Sequence, residues 1–160
     1  MKSLKQALTI GFTGAIAVFT ASYFGLPTWV LFMAWVSYSL FGTKTKTAFL
    51  ILIQQVFGIL IAMIIQYLGA FLSETLAVFG FLIIVLVVMI GVFYISKLKY
   101  LNNIPAYFLG MIIWFGSNSE IDISILLLLG ITLFSGYAFA WINVTISDLI
   151  DSKTSIIMNI

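Results

Sequence analysis

The chain has 160 residues, 63% of them hydrophobic and 8% charged, with a mean hydropathy of +1.24 and a formal charge of +2. A soluble domain carries about 25% charged residues, so this composition excludes one and points to an all-α integral membrane protein, residues 1–160 forming a single transmembrane domain. With neither Cys nor His, disulfides, thiolate nucleophiles, Cys-held metals and the usual imidazole base are excluded.

The first apolar run, roughly 6–24, follows Lys2 and Lys5. It has the Lys-then-apolar form of a signal peptide but exceeds an apolar region of about 7–15 residues, and more spans follow at once, so it reads as a retained helix. Gly11, Gly14, Ala15, Ala17, Ala21 and Ser22 give it the small-residue face of a packing helix.

The second run, 27–42, is short and opens on Leu26-Pro27-Thr28-Trp29. Proline suits a first helical turn, where its missing N–H has no intrahelical partner to lose. The third run, 48–71, follows Lys44 and Lys46 and stacks Gln55, Gly58, Ala62, Gln66 and Gly69 on one helical face, each three or four residues from the next. Gln54 adjoins that stripe but points about 100° away, which suits a subunit interface.

The fourth run, 76–96, is followed by Lys97 and Lys99. The fifth, 104–116, opens on Ile104-Pro105-Ala106-Tyr107 and is also short; from Pro105 a helix would extend only about 18 Å against a hydrocarbon core of about 30 Å. Leu31 and Met33 parallel Leu109 and Met111, and both short runs finish Phe-Gly, at Phe41-Gly42 and Phe115-Gly116. Asn102, Asn103 and Asn118 flank the fifth run as candidate caps. The sixth, 124–147, carries Thr132, Gly136, Ala140, Asn143 and Ser147 on one face, ahead of Asp148, Asp151 and Lys153.

Six crossings with the N-terminus inside put every Lys on the cytoplasmic side and Glu74, Glu120 and Asp122 outside, as the retention of basic residues predicts; four crossings break that sorting. The expectation is a multi-pass protein of the bacterial cytoplasmic (inner) membrane, both termini cytoplasmic. The runs divide near Ser73 to Leu76 into two long-short-long halves, about 6–71 and 76–147. Three is an odd number of crossings, so the halves form inverted repeats, with the short, Pro-initiated second and fifth segments in corresponding positions.

At Gly25-Leu26-Pro27-Thr28-Trp29, then Phe32, Trp35, Tyr38 and Gly42, and again from Ile104-Pro105 through Phe108, Gly110 and Phe115-Gly116, the sequence resembles the YcdZ-like bacterial inner-membrane family of unknown function. That resemblance covers about residues 8–147 and implies no activity. A looser similarity is to one half of the urea-channel proteins, where a Leu-Pro-led short span alternates with long ones.

No Asp, Glu, Lys, Arg or His falls within a predicted span, so proton relays, voltage sensors and charged selectivity rings have no residues to use. Catalytic constellations, phosphate-binding Gly motifs and nucleic-acid surfaces are missing as well, so no enzyme, metal, cofactor or nucleic-acid partner is expected. Uncharged hydrogen-bonding groups remain. The expected function is a channel or facilitator for a small, mostly uncharged polar solute. Its pathway would draw on Gln55, Gln66, Thr132 and Asn143, narrowed by Trp35, Tyr38, Tyr107 and Trp114. Pro27, Pro105, Gly58, Gly110 and Gly136 would supply helix breaks and close packing, in a homo-oligomer such as a trimer within the lipid bilayer. The alternatives are a structural or assembly subunit whose polar stripes only pack helices, and a secondary transporter.

Overall fold

The computed structural model describes residues 2–42, 44–118 and 120–157. Six helices follow in order: Lys2–Tyr23 (α1), Thr28–Phe41 (α2), Thr45–Leu76 (α3), Val78–Ile95 (α4), Ile104–Ser117 (α5) and Ile123–Ile157 (α6), with no strand among the described residues. By length and composition α1, α3, α4 and α6 can each cross a membrane; α2 and α5, at 14 residues each, are shorter apolar helices. Hydrocarbon offers no partner for backbone N–H and C=O groups, so the helix is the economical state for these runs. Their side-chain hydroxyls follow the same logic. Thr9, Thr13, Thr20, Ser39, Thr132, Ser135 and Thr145 each donate to the carbonyl four residues back.

The helices outrun the apolar runs because polar residues at the membrane surface continue the turn: α3 begins at Thr45 rather than 48 and continues to Leu76. Ser73 to Leu76, where the division was anticipated, are still helical. The break is Ala77 alone, held at φ 48°, a conformation costly for a residue with a Cβ. Gly80 makes this turn fit, since a Cβ there would sit 2.5 Å from the Leu72 carbonyl carbon and the Ser73 nitrogen.

The chain forms two compact units that do not coincide with its sequential halves. One holds residues up to Ala48 and from Leu128 onward, bringing together α1, α2 and most of α6; the other holds Phe49–Leu127, with most of α3, all of α4 and α5, and the start of α6.

In the first unit α1 ends on Gly25 at φ +65°, and the Leu26 N–H returns to the Ala21 carbonyl at 2.8 Å. Glycine takes that left-handed turn at no steric cost because it has no Cβ. Pro27 then caps α2. Ala17, Ala21 and Leu31 form a fully buried cluster, with Leu26, Trp35 and Phe139 packed against it. The packing face of α1 is thus Thr13, Ala17 and Ala21; Gly11, Ala15 and Ser22 are exposed, and nothing lies within 4 Å of where a Gly11 or Gly14 Cβ would be. This corrects the broader small-residue face expected from the sequence, which mixed residues from two sides of the helix.

In the second unit α5 lies along α3. A Cβ on Gly58 would overlap the Tyr107 carbonyl, and one on Gly110 would overlap the Gln55 carbonyl. Two backbones approach this closely only where both lack side chains, and in lipid such van der Waals contact replaces the hydrophobic drive of water.

Candidate functional site

The polar residues singled out by the sequence separate into two sets, one per unit. In the second unit the set is built around the irregular backbone between α4 and α5. Gln54, 1% exposed, accepts the Asn103 N–H on its Oε1 at 2.8 Å, and its Nε2 donates to the carbonyls of Leu50 at 3.0 Å and Tyr100 at 3.3 Å. Tyr107, also buried, donates its hydroxyl to the Leu101 carbonyl at 3.1 Å. Asn103 is itself the N-cap of α5, its side chain accepting from the Ala106 N–H at 3.1 Å. Non-helical backbone among apolar helices needs such partners. Gln54 of α3 and Tyr107 of α5 supply them.

Gln54 therefore faces inward, a correction to the subunit-interface role drawn from its angular offset. Its neighbour Gln55 is fully buried, with its carbonyl against Gly110. About one turn beyond Ala62, Gln66 is half-buried and accepts the indole N–H of buried Trp114 at 2.5 Å. Along α3, Gln54, Gly58 and Gln66 meet Asn103, Tyr107 and Trp114 of the α5 region in rising order, so the two helices run parallel. At its far end α5 stops on Asn118 in the left-handed conformation, φ 46°, one of the few residues other than glycine that takes it readily.

The first unit holds Trp35, Tyr38, Thr132, Gly136 and Asn143. Asn143 is buried and donates to the Thr13 hydroxyl at 2.8 Å, linking α6 to α1. Thr132 is fully buried and donates to the Leu128 carbonyl of its own helix at 2.7 Å. A Gly136 Cβ would overlap the Leu31 carbonyl and lie 2.6 Å from the Ala34 Cβ, so α2 and α6 meet there as closely as α5 and α3 do. Beside that contact the buried Tyr38 ring stands edge-on to Tyr137, centroids 5.9 Å apart. Trp35 is half-buried against the alanine cluster of α1. Pro27 is half-buried and Pro105 exposed.

Chemically, both sets are neutral amides, hydroxyls and aromatic rings. Among the described residues no group of three or more His, Cys, Asp or Glu could hold a metal ion. The signal that could have exposed Gln54 was its neighbour's identity: two adjacent glutamines on one span, and an Asn pair immediately before the proline of another.

No curated protein and no solved structure matches the chain. A family model described as a protein of unknown function, DUF1097, matches residues 7–148, which takes in all of α2 to α5 and most of α1 and α6. On that span the chain belongs to the DUF1097 family.

Proposed function

We propose that this chain is a structural or assembly subunit of the bacterial cytoplasmic membrane, built as two inverted three-segment repeats, whose polar stripes hold its helices together. The observation that carries this is where the stripes spend their hydrogen bonds. Asn143 is committed to Thr13, Thr132 to its own helix, Gln66 to Trp114, and the adjacent Gln54 to the strap before α5. A conducting surface needs groups turned to water; these are turned to protein.

Duplication is supported by a constant interval: the same number of residues separates Pro27 from Pro105, Leu31 from Leu109, Gly58 from Gly136 and Ala62 from Ala140. Inversion is supported by direction. Gly69 meets Phe81 while Leu72 meets Gly80, so α4 runs back along α3, and α5 then runs parallel to α3 again. Alternating directions are those of three successive crossings, which favours six spans with both termini cytoplasmic and the lysines inside.

The second reading is a facilitator for a small uncharged solute, favoured by the half-buried position of Gln66 and by spans free of charge. One experiment separates the two. Liposomes carrying the full chain should pass urea-sized solutes no faster than empty ones, while Asn143→Leu and Gln66→Leu weaken thermal stability or oligomer retention in detergent. Flux above the empty-liposome rate that falls on Gln66→Leu would establish the facilitator instead.

A further inference from the structure

We infer that the two repeats exchange their third helices, so that each unit is the first two helices of one repeat completed by the last helix of the other. The inference rests on the duplication proposed above and holds whether the protein assembles or conducts. α1 and α2 share a unit with most of α6, and α4 and α5 share one with most of α3. Each third helix begins in the unit of its own repeat and leaves it within about a turn and a half: α3 starts at Thr45 and departs after Ala48, α6 starts at Ile123 and departs after Leu127.

The exchanged contact is one contact made twice. α2 and α5 have 14 residues each; Leu31 and Tyr107 are the fourth residues of these helices, Ala34 and Gly110 the seventh, while Gly58 and Gly136 are the fourteenth residues of α3 and α6. A Cβ on Gly58 would overlap the Tyr107 carbonyl and lie 3.0 Å from the Gly110 Cα; one on Gly136 would overlap the Leu31 carbonyl and lie 2.6 Å from the Ala34 Cβ. The same position of a long helix therefore meets the same two positions of a short one, in each case across the repeats. This register sets Asn103 rather than Pro105 against Pro27, and both are N-caps.

The polar residues beside the contact differ as those caps require. Gln54 and Thr132, both buried, are the tenth residues of α3 and α6. Asn103 has a backbone N–H, and Gln54 accepts it. Pro27 has none to satisfy, and Thr132 turns to the Leu128 carbonyl of its own helix. One position thus carries an amide where a distant donor needs it and a hydroxyl where none exists.

The test uses the full chain with a protease recognition sequence inserted at the Ala77 turn, purified in mild detergent and then cut. The two pieces should stay together through size-exclusion chromatography, since each holds a helix that the other's unit needs. Thr13→Cys/Asn143→Cys and Gln66→Cys/Trp114→Cys, made in this otherwise Cys-free chain, should each join the pieces into one full-length band through a short bifunctional thiol reagent. The same linkages, read as joined peptides by mass spectrometry in the chain without the insertion, keep the result independent of that turn. Ile65 on α3 and Asn143 on α6 are both the twenty-first residues of their helices. Linkage of Thr13→Cys to Ile65→Cys in place of Asn143→Cys would return α3 to its own repeat and overturn the exchange. So would pieces that part on cutting, or crosslinked dimers of the uncut Thr13→Cys/Asn143→Cys chain, which would assign α6 to a neighbouring copy. Flux above the empty-liposome rate from a linked protein would refute the assembly role and leave the exchange standing.

Discussion

The Asn103 backbone N–H donates to the side-chain oxygen of Gln54, 2.8 Å away and 49 residues earlier in the chain. Because Asn103 also caps α5 and Gln54 also reaches the Tyr100 carbonyl, one buried amide fixes where the fifth helix starts. The helix it starts has 14 residues, about 21 Å, and is shorter than a hydrocarbon core of about 30 Å. The missing length is irregular backbone with its polar groups satisfied by side chains.

Replacing that amide should therefore cost more than an ordinary polar-to-apolar change in a span. Gln54→Leu removes the side-chain partner of the Asn103 N–H and of the Tyr100 carbonyl, a loss of about 0.5–1.5 kcal/mol for each hydrogen bond. Thermal unfolding in detergent should show the loss. Limited proteolysis between Lys97 and Pro105 should accelerate in the variant, and an unchanged cleavage rate would mean that the strap is held by other contacts.

Close backbone contact makes the glycines unequal. Gly110→Leu forces α5 away from the Gln55 carbonyl, whereas Gly130→Leu and Gly11→Leu enter space with nothing within 4 Å. Overpacking costs about 1–3 kcal/mol or more; the open positions should change stability little, and folded yield in detergent should rank the three accordingly. If all three behave alike, the α3–α5 contact is not what the second unit depends on.

Asp122 provides a pH handle outside the spans. Its carboxylate accepts the Ser124 hydroxyl at 2.7 Å and the Ser124 N–H at 3.0 Å, and these bonds hold its pKa below the ordinary carboxylate value. A depressed folded pKa means the charged form is favoured by folding. The stabilisation is present above the unfolded-state pKa, close to 3.8, and is lost as pH falls through the lower folded value. Asp122→Asn should thus matter at neutral pH and cease to matter in strong acid, as read from melting curves across that window. Ser124→Ala should abolish most of the same pH dependence.

The absence of native cysteine makes sidedness measurable. Single-cysteine variants Glu74→Cys and Glu120→Cys should react with a membrane-impermeant maleimide in intact spheroplasts, while Lys44→Cys and Lys97→Cys should react only after permeabilisation. Labelling of Lys97→Cys from the same side as Glu74→Cys would remove the odd number of crossings on which inversion rests.

Apolar runs and prolines were enough to locate every helix, because those features act through local sequence, whereas the backbone groups that Gly58, Gly110 and Gly136 meet come from distant segments and were not legible. The ends of α3 and α6 were not legible, since hydropathy marks the membrane and not where a helix stops. Asn103 and Asn118 did serve as caps, a role their residue type announces. Gln54 was misread because its partners are backbone groups of a distant segment, and a helical wheel shows direction without showing what waits there. Asn143 and Gln66 carried the right polarity, but whether an amide meets water or another side chain depends on a neighbour such as Thr13 or Trp114.

Both unit boundaries, at Ala48 and Leu127, fall inside continuous helices. The strand of synthesis consequently delivers α1 and α2 to the membrane first and their companion α6 last. Until translation nears its end, Thr13 waits without Asn143 and the Leu31 carbonyl without Gly136, so the contacts that close the first unit are the last to form.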